Sequence, residues 1–276
     1  EYPGVPLCLI LGLDAFLKQA GIQAPVTTID HHTAHLASAY YTSPWDECLS
    51  ISVDGVGDGY CSRIAVCRDG RMTPFHRVPF FHTPGQYYGF VTAWAGFTPG
   101  RHEGKITGLA AYGDPDKVLP LFESRIGYSE KKASFVNYGM WGWAEFEYLS
   151  AQLDECDRAD VAAAIQVHLE DLVTRYVRQA VERTGVRNVA LSGGIFANVK
   201  LNQRVQELDV VDEVYVHPHM GDGGLAVGAA LHRYADSHSF VPEPLPNAYL
   251  GKEYSDTEIE AELIGLDAPF HRPDCI

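Results

Sequence analysis

The chain has 276 residues, 46% of them hydrophobic, and carries 36 acidic against 21 basic side chains, a net charge of −15. That length supports a substantial core in one or two α/β lobes, and the acidic excess disfavours a broad phosphate-binding surface, so a small polar substrate is expected and nucleic acid is not. No apolar run approaches membrane-spanning length, residues 5–13 soon reach Asp14 and Lys18 without a basic leader, and the six cysteines form no CxxC pair, which together predict a cytoplasmic protein with no membrane or export segment.

In chain order, a helix is predicted near residues 9–21, then a β-branched strand at Val26–Ile29 and a helix over Thr33–Tyr41. "CLSISVDG" (48–55) reads as a buried strand, and "YCSRIAVCRDGRMTPFHRV" as a hairpin turning at Asp69-Gly70. A Gly- and aromatic-rich stretch from Gly85 to Gly113 follows, in which Tyr87, Tyr88, Phe90, Trp94 and Phe97 are expected to pack a core. Residues 114–157 lack clear periodicity and are expected to form an insertion or lid. The apolar spacing of Val161, Ile165, Leu169, Leu172, Tyr176 and Ala180 predicts a long helix over 158–184. A strand into a glycine turn, a helix at "NVKLNQRVQEL", a strand at "DEVYVHP" and a helix at "DGGLAVGAALHRYA" complete a βαβα pattern, and four prolines mark 239–251 as a linker. The expected division is a first lobe at 1–113, incomplete at its N-terminus, the insertion at 114–157, a second lobe at 158–240, and from 241 to 276 a linker and the start of a missing C-terminal domain.

Three histidines fall within the five residues of "HHTAH" (31–35), at a predicted strand-to-helix turn. Spaced four apart, His31 and His35 project from one helix face and can share an ion, whereas His32 points away and is expected to serve structure or substrate contact. The zinc-protease pattern HExxH would need a glutamate where His32 stands, which disfavours that hydrolysis. In "SVDGVGDG" (52–59), Asp54 ends a strand, where it can bind metal or order the turn, and Gly55 and Gly57 permit close approach of a phosphate to the backbone. "LSGGIFAN" (191–198) offers Gly193, Gly194 and the Asn198 amide to a nucleotide, or is a plain tight turn. "HPHMGDGGLAVGAA" (217–230) places Asp222 at a helix start, as a ligand or an ordinary N-cap. His217 and His219 there are expected to serve substrate contact or structure.

In order and spacing, HHTAH, SVDGVGDG, GRHEGKITGLAAYG, LSGGIFANVKLNQRV and HPHMGDGGLAVGAA resemble the catalytic domain of the NodU/CmcH-type O-carbamoyltransferases, from about residue 25 to residue 255. The resemblance implies an α/β fold of two ribonuclease-H-like lobes of the actin/Hsp70/sugar-kinase superfold, here truncated at both ends. It also implies a divalent transition metal, iron by preference, held by His31, His35, Asp54 and Asp222. The implied reaction transfers a carbamoyl group from carbamoyl adenylate to an acceptor hydroxyl. ATP and carbamoyl phosphate supply that donor through a YrdC-like domain that is not within these residues. Lys105 of "HEGKITG" is the expected phosphate contact. Two rival readings share the pattern: threonylcarbamoyl transfer to tRNA adenosine, and a non-catalytic nucleotide-binding fragment that needs a partner domain.

Overall fold

The structure is a computed structural model that describes residues 15–272, so Cys8 and Cys275 and the first part of the helix expected near 9–21 lie outside the described residues. Residues 15–19 are helical. The chain divides into two compact units, one running to Pro244 and the other starting at Leu245.

After residues 15–19, the first unit continues with α1 (His31–Tyr41) and the meander β1 (Cys48–Gly57), β2 (Tyr60–Arg68) and β3 (Arg71–Pro79). β2 and β3 turn at Asp69 and Gly70, which take φ of 52° and 71°, the paired left-handed conformation that a two-residue hairpin requires. A largely helical crossover follows: α2 (Pro84–Trp94), α3 (Glu103–Leu109), the short α4 (Leu119–Glu123), the hairpin β4 (Ile126–Ser129) and β5 (Ser134–Asn137), α5 (Trp143–Leu153), and α6 (Arg158–Thr184). The chain then runs through β6 (Asn188–Ser192), α7 (Val199–Gln206), β7 (Glu213–Val216) and α8 (Leu225–Ala235). The second unit holds α9 (Asp256–Gly265), closed at its start by a Ser255–Glu258 capping box.

The main sheet has the order β3-β2-β1-β6-β7, with β1–β2 and β2–β3 antiparallel and β1–β6 and β6–β7 parallel. An antiparallel meander extended by two parallel strands is the sheet of a ribonuclease-H-like lobe, in keeping with the actin/Hsp70/sugar-kinase superfold. Residues 48–79 and 188–216, assigned to a first and a second lobe, lie in one sheet, because the crossover that ends in α6 returns β6 beside β1, Leu49 pairing with Val189 and Ser52 with Ser192. Residues 114–157 are likewise packed: Phe122, Ile126, Phe135, Leu149 and Leu153 are buried in the main core. Val26–Ile29 pairs with no strand among the described residues; Val26 is exposed, and the segment leads straight into Asp30, the N-cap of α1.

Alternation along β1 sorts its side chains by face. Leu49, Ile51 and Val53 join the core cluster built around α6, with Leu169, Val173, Tyr176 and Val177. Cys48 faces the other way, into a smaller cluster with Leu36, Ala37, Tyr40 and Tyr41 of α1. Ser50 and Ser52 share that parity, and their hydroxyls reach α1, at the Leu36 carbonyl (3.0 Å) and the His32 ring (2.9 Å). On β6, Ser192 donates to the His35 carbonyl at 2.8 Å. These small polar residues let α1 lie low on the sheet, and α8 crosses it closely on the far side, where a Cβ on Gly228 would overlap the Ala34 carbonyl oxygen.

Candidate metal centre

Asp54 follows Val53 with the same parity as Ser50 and Ser52, so its carboxylate is delivered to the face on which α1 lies. α1 begins at His31, two residues earlier than the Thr33 start expected from sequence, and therefore carries all three histidines. Its N-terminus is held twice: Asp30 Oδ1 accepts the Thr33 N–H at 2.9 Å, and Asp58 accepts the His31 N–H at 2.8 Å. From this seat His31 Nε2 and His35 Nε2 lie 3.3 and 3.0 Å from Asp54 Oδ2. Asp222, in a short 3₁₀ turn (Asp222–Gly224) ahead of α8, brings Oδ1 to 3.7 Å from His31 Nε2 and 3.5 Å from His35 Nε2. The four donor atoms lie within 4.8 Å of one another.

The rest of Asp54 is fixed by backbone. Its Oδ1 accepts the Gly55 N–H at 2.7 Å, and its carbonyl accepts the Thr83 hydroxyl at 2.8 Å. Burial alone would raise the Asp54 pKa, but the bonds to His31, His35 and the Gly55 N–H outweigh it and hold the carboxyl well below its usual range. At His31 burial pulls the pKa down, yet the hydrogen bond to Asp54 and the charges of Asp54, Asp222 and Asp58 win, and the net shift is upward. Both shifts describe a pocket that calls for positive charge, which a proton or a cation can supply. Two imidazole nitrogens with two carboxylate oxygens make a mixed N/O set that fits a divalent transition ion, and so the donor chemistry agrees with the group expected from sequence.

The other expected site residues stand in different places. Of the four glycines read as phosphate contacts, Gly55 has open space where a Cβ would be; Gly57 abuts the His31 ring, Gly194 the Asp54 carboxylate at 3.0 Å, and Gly193, at φ of 96°, the Val53 backbone. The close approach that Gly57, Gly193 and Gly194 permit is thus to the protein's own groups. The Asn198 side chain caps α7, Oδ1 accepting the Leu201 N–H at 3.1 Å, while its amide donates to Gln166 at 2.8 Å. Lys105 is exposed on α3, its ammonium 4.9 Å from the centroid of the Phe97 ring. His217 is buried, with Nδ1 3.0 Å from the Thr42 hydroxyl. Burial, with the nearby His219 and His35, pushes its pKa down. The seating roles of Gly57, Ser52 and Ser192 have no local signature beyond the parity of β1 and β6, because each depends on a helix distant in sequence.

Residues 8–231 match the family described as "Carbamoyltransferase N-terminus". The chain is 30% identical over 261 residues to an uncharacterized protein of Synechocystis sp., a match covering 87% of this chain and 42% of that protein. It is 27% identical over 245 residues to the nodulation protein NolNO of Sinorhizobium fredii, covering 87% of this chain and 36% of that one. Among solved structures it is similar to HypF of T. kodakarensis, with a TM-score of 0.49 and 14% identity over 81% of this chain and 38% of that one. The chain spans about two fifths of the length of the curated relatives it matches.

Proposed function

The chain belongs to the carbamoyltransferase N-terminal family, and from that premise we propose that it is the metal-holding part of an enzyme that moves a carbamoyl group from carbamoyl adenylate to a hydroxyl of a small polar acceptor. The observation that carries the reading is the meeting of His31, His35, Asp54 and Asp222 within 4.8 Å. These four side chains would hold a divalent ion of the iron group. When bound, such an ion supplies Lewis acidity toward the carbamoyl carbonyl oxygen.

The protein's own groups do the holding and orienting. Asp54 is locked through Oδ1 to the Gly55 N–H and presents Oδ2, while α1 presents two imidazole nitrogens one turn apart. Asp222, with 74% of its side chain exposed, is the group that can move toward or away from the other three. We place the nucleotide of the donor along Gly55 and the 194–197 turn, where open space at Gly55 adjoins Asp54. Lys105, exposed and in contact with the Phe97 ring, is the cation we assign to a donor phosphate. Carbamoyl phosphate and ATP would enter through a YrdC-like domain.

The test supplies the metal-loaded protein with ATP, carbamoyl phosphate and a YrdC-like domain in trans, and follows hydroxylated acceptors by mass spectrometry. A carbamoylated acceptor formed by the parent and not by His31→Ala or Asp54→Asn supports the proposal. Metal binding and AMP binding with no transfer to any acceptor would favour the non-catalytic reading, and salt-sensitive retention of tRNA the nucleic-acid one.

A further inference from the structure

We propose that His32 is a positioning residue of this centre: held by both ring nitrogens between β1 and β2, it sets the rotation of α1 that brings the Nε2 atoms of His31 and His35 to Asp54. The inference rests on the metal reading above and adds to it the device that orients two of the four ligands.

His32 is completely buried. Its Nε2 lies 3.0 Å from the Tyr60 carbonyl oxygen and its Nδ1 2.9 Å from Ser52 Oγ. A carbonyl can only accept, so Nε2 carries the hydrogen and Nδ1 must take one from the Ser52 hydroxyl. Ser52 Oγ in turn accepts the Arg63 N–H at 3.3 Å, and its single hydrogen goes to the nearer Nδ1 at 2.9 Å in preference to the Arg63 carbonyl at 3.4 Å. One neutral tautomer therefore satisfies the whole chain of groups, from β2 through β1 to the helix and back to β2.

A helix advances about 100° per residue, so fixing the direction of one side chain fixes those of its neighbours. With His32 pointed between the strands, positions 31 and 35 both fall to one side of it, about 100° and 60° around the helix, and both reach the same Asp54 oxygen. The bonds from Ser50 and Ser192 go to carbonyl groups of α1 and set its depth on the sheet. The clamp at His32 acts through a side chain, and so it sets the helix azimuth. Outer partners of metal ligands that control orientation typically change affinity by about 10- to 100-fold when removed.

The test uses the full chain and Co(II) as the probe, with affinity measured by competition, the visible absorption of the bound ion recorded, and melting of the metal-free protein followed in parallel. His32→Ala and Ser52→Ala should each weaken Co(II) binding by about 10- to 100-fold and shift the visible band. The double variant should be no weaker than His32→Ala, since the two substitutions break one linkage. His32→Gln, which can still donate to the Tyr60 carbonyl, should recover much of the affinity. Parent affinity and spectrum in folded His32→Ala would overturn the inference even if melting falls, because His32 would then be core packing alone. If His32→Ala fails to fold, parent-like Co(II) affinity in Ser52→Ala overturns it instead. Absence of Co(II) binding by the parent would overturn the metal reading itself, and is told apart from a variant that binds like the parent.

Discussion

Gly57 separates the two roles that a glycine beside Asp54 can have, cradling a substrate phosphate or seating His31. A Cβ placed on Gly57 would lie 2.6 Å from His31 Nε2 and nearer still to the ring carbons. Ordinary contact begins near 3.5 Å, so Gly57→Ala should displace the imidazole by about 1 Å. Ligand distances tolerate only about ±0.2 Å, and so one donor of four is misplaced. The expected loss is about 10- to 100-fold in metal affinity, or about 1.4–2.8 kcal/mol. The metal-free fold should barely notice, because Gly57 is not among the positive-φ glycines and alanine adds little strain there; melting should move by no more than about 3 °C. Gly55→Ala is the matched control, with nothing within 4 Å of its Cβ. Calorimetric titration of both variants with Co(II) and, separately, with AMP decides the matter. Parent metal affinity in Gly57→Ala together with weakened AMP binding would refute this reasoning and return Gly57 to the phosphate role expected from the motif.

Gly228→Ala should push α8 off α1, since its Cβ would overlap the Ala34 carbonyl; an overpacking cost of about 1–3 kcal/mol is expected in chemical denaturation, and an unchanged midpoint would mean the helices are farther apart than described. Asp222→Asn removes the charge of one proposed ligand from an exposed position, so the fall in melting temperature caused by chelator, which reports linkage of metal binding to folding, should shrink relative to the parent, while equal shifts in both would make Asp222 a helix cap only. His168 is buried, donates from Nε2 to the Ile126 carbonyl at 2.8 Å, and has its pKa lowered chiefly by burial. The unfolded chain takes up this proton near 6.5 and the folded one only at lower pH, so its contribution to stability is present above that pH and lost as pH falls below it. His168→Gln should flatten the decline in stability as pH falls below about 6.5 in denaturation curves, and an identical decline would place the titration elsewhere.

Local pattern was enough for α6, for the Asp69-Gly70 hairpin and for the common helix face of His31 and His35, because each depends on spacing within one element. Four-residue spacing puts His31 and His35 on one helix face in any context, and the ends of glycine-flanked strands are where carboxylates such as Asp54 and Asp222 can be presented. Pairing across distance was beyond such reading. Leu49 and Val189 each look like half-buried strand residues, and nothing near either reveals that a crossover of more than 100 residues brings them side by side in one sheet. The same holds for the glycines: "DGVG" and "LSGG" are equally compatible with a phosphate, a turn or a side chain pressed close. Which group comes close is decided by where α1 rests, and that follows from the burial of Leu36 and Tyr40, the hydroxyls of Ser50, Ser52 and Ser192, and the crossing at Gly228. Tertiary packing therefore turned Gly57 toward His31, gave His32 both of its partners, and brought Asp222 to His31, His35 and Asp54, more than 160 residues earlier in the chain.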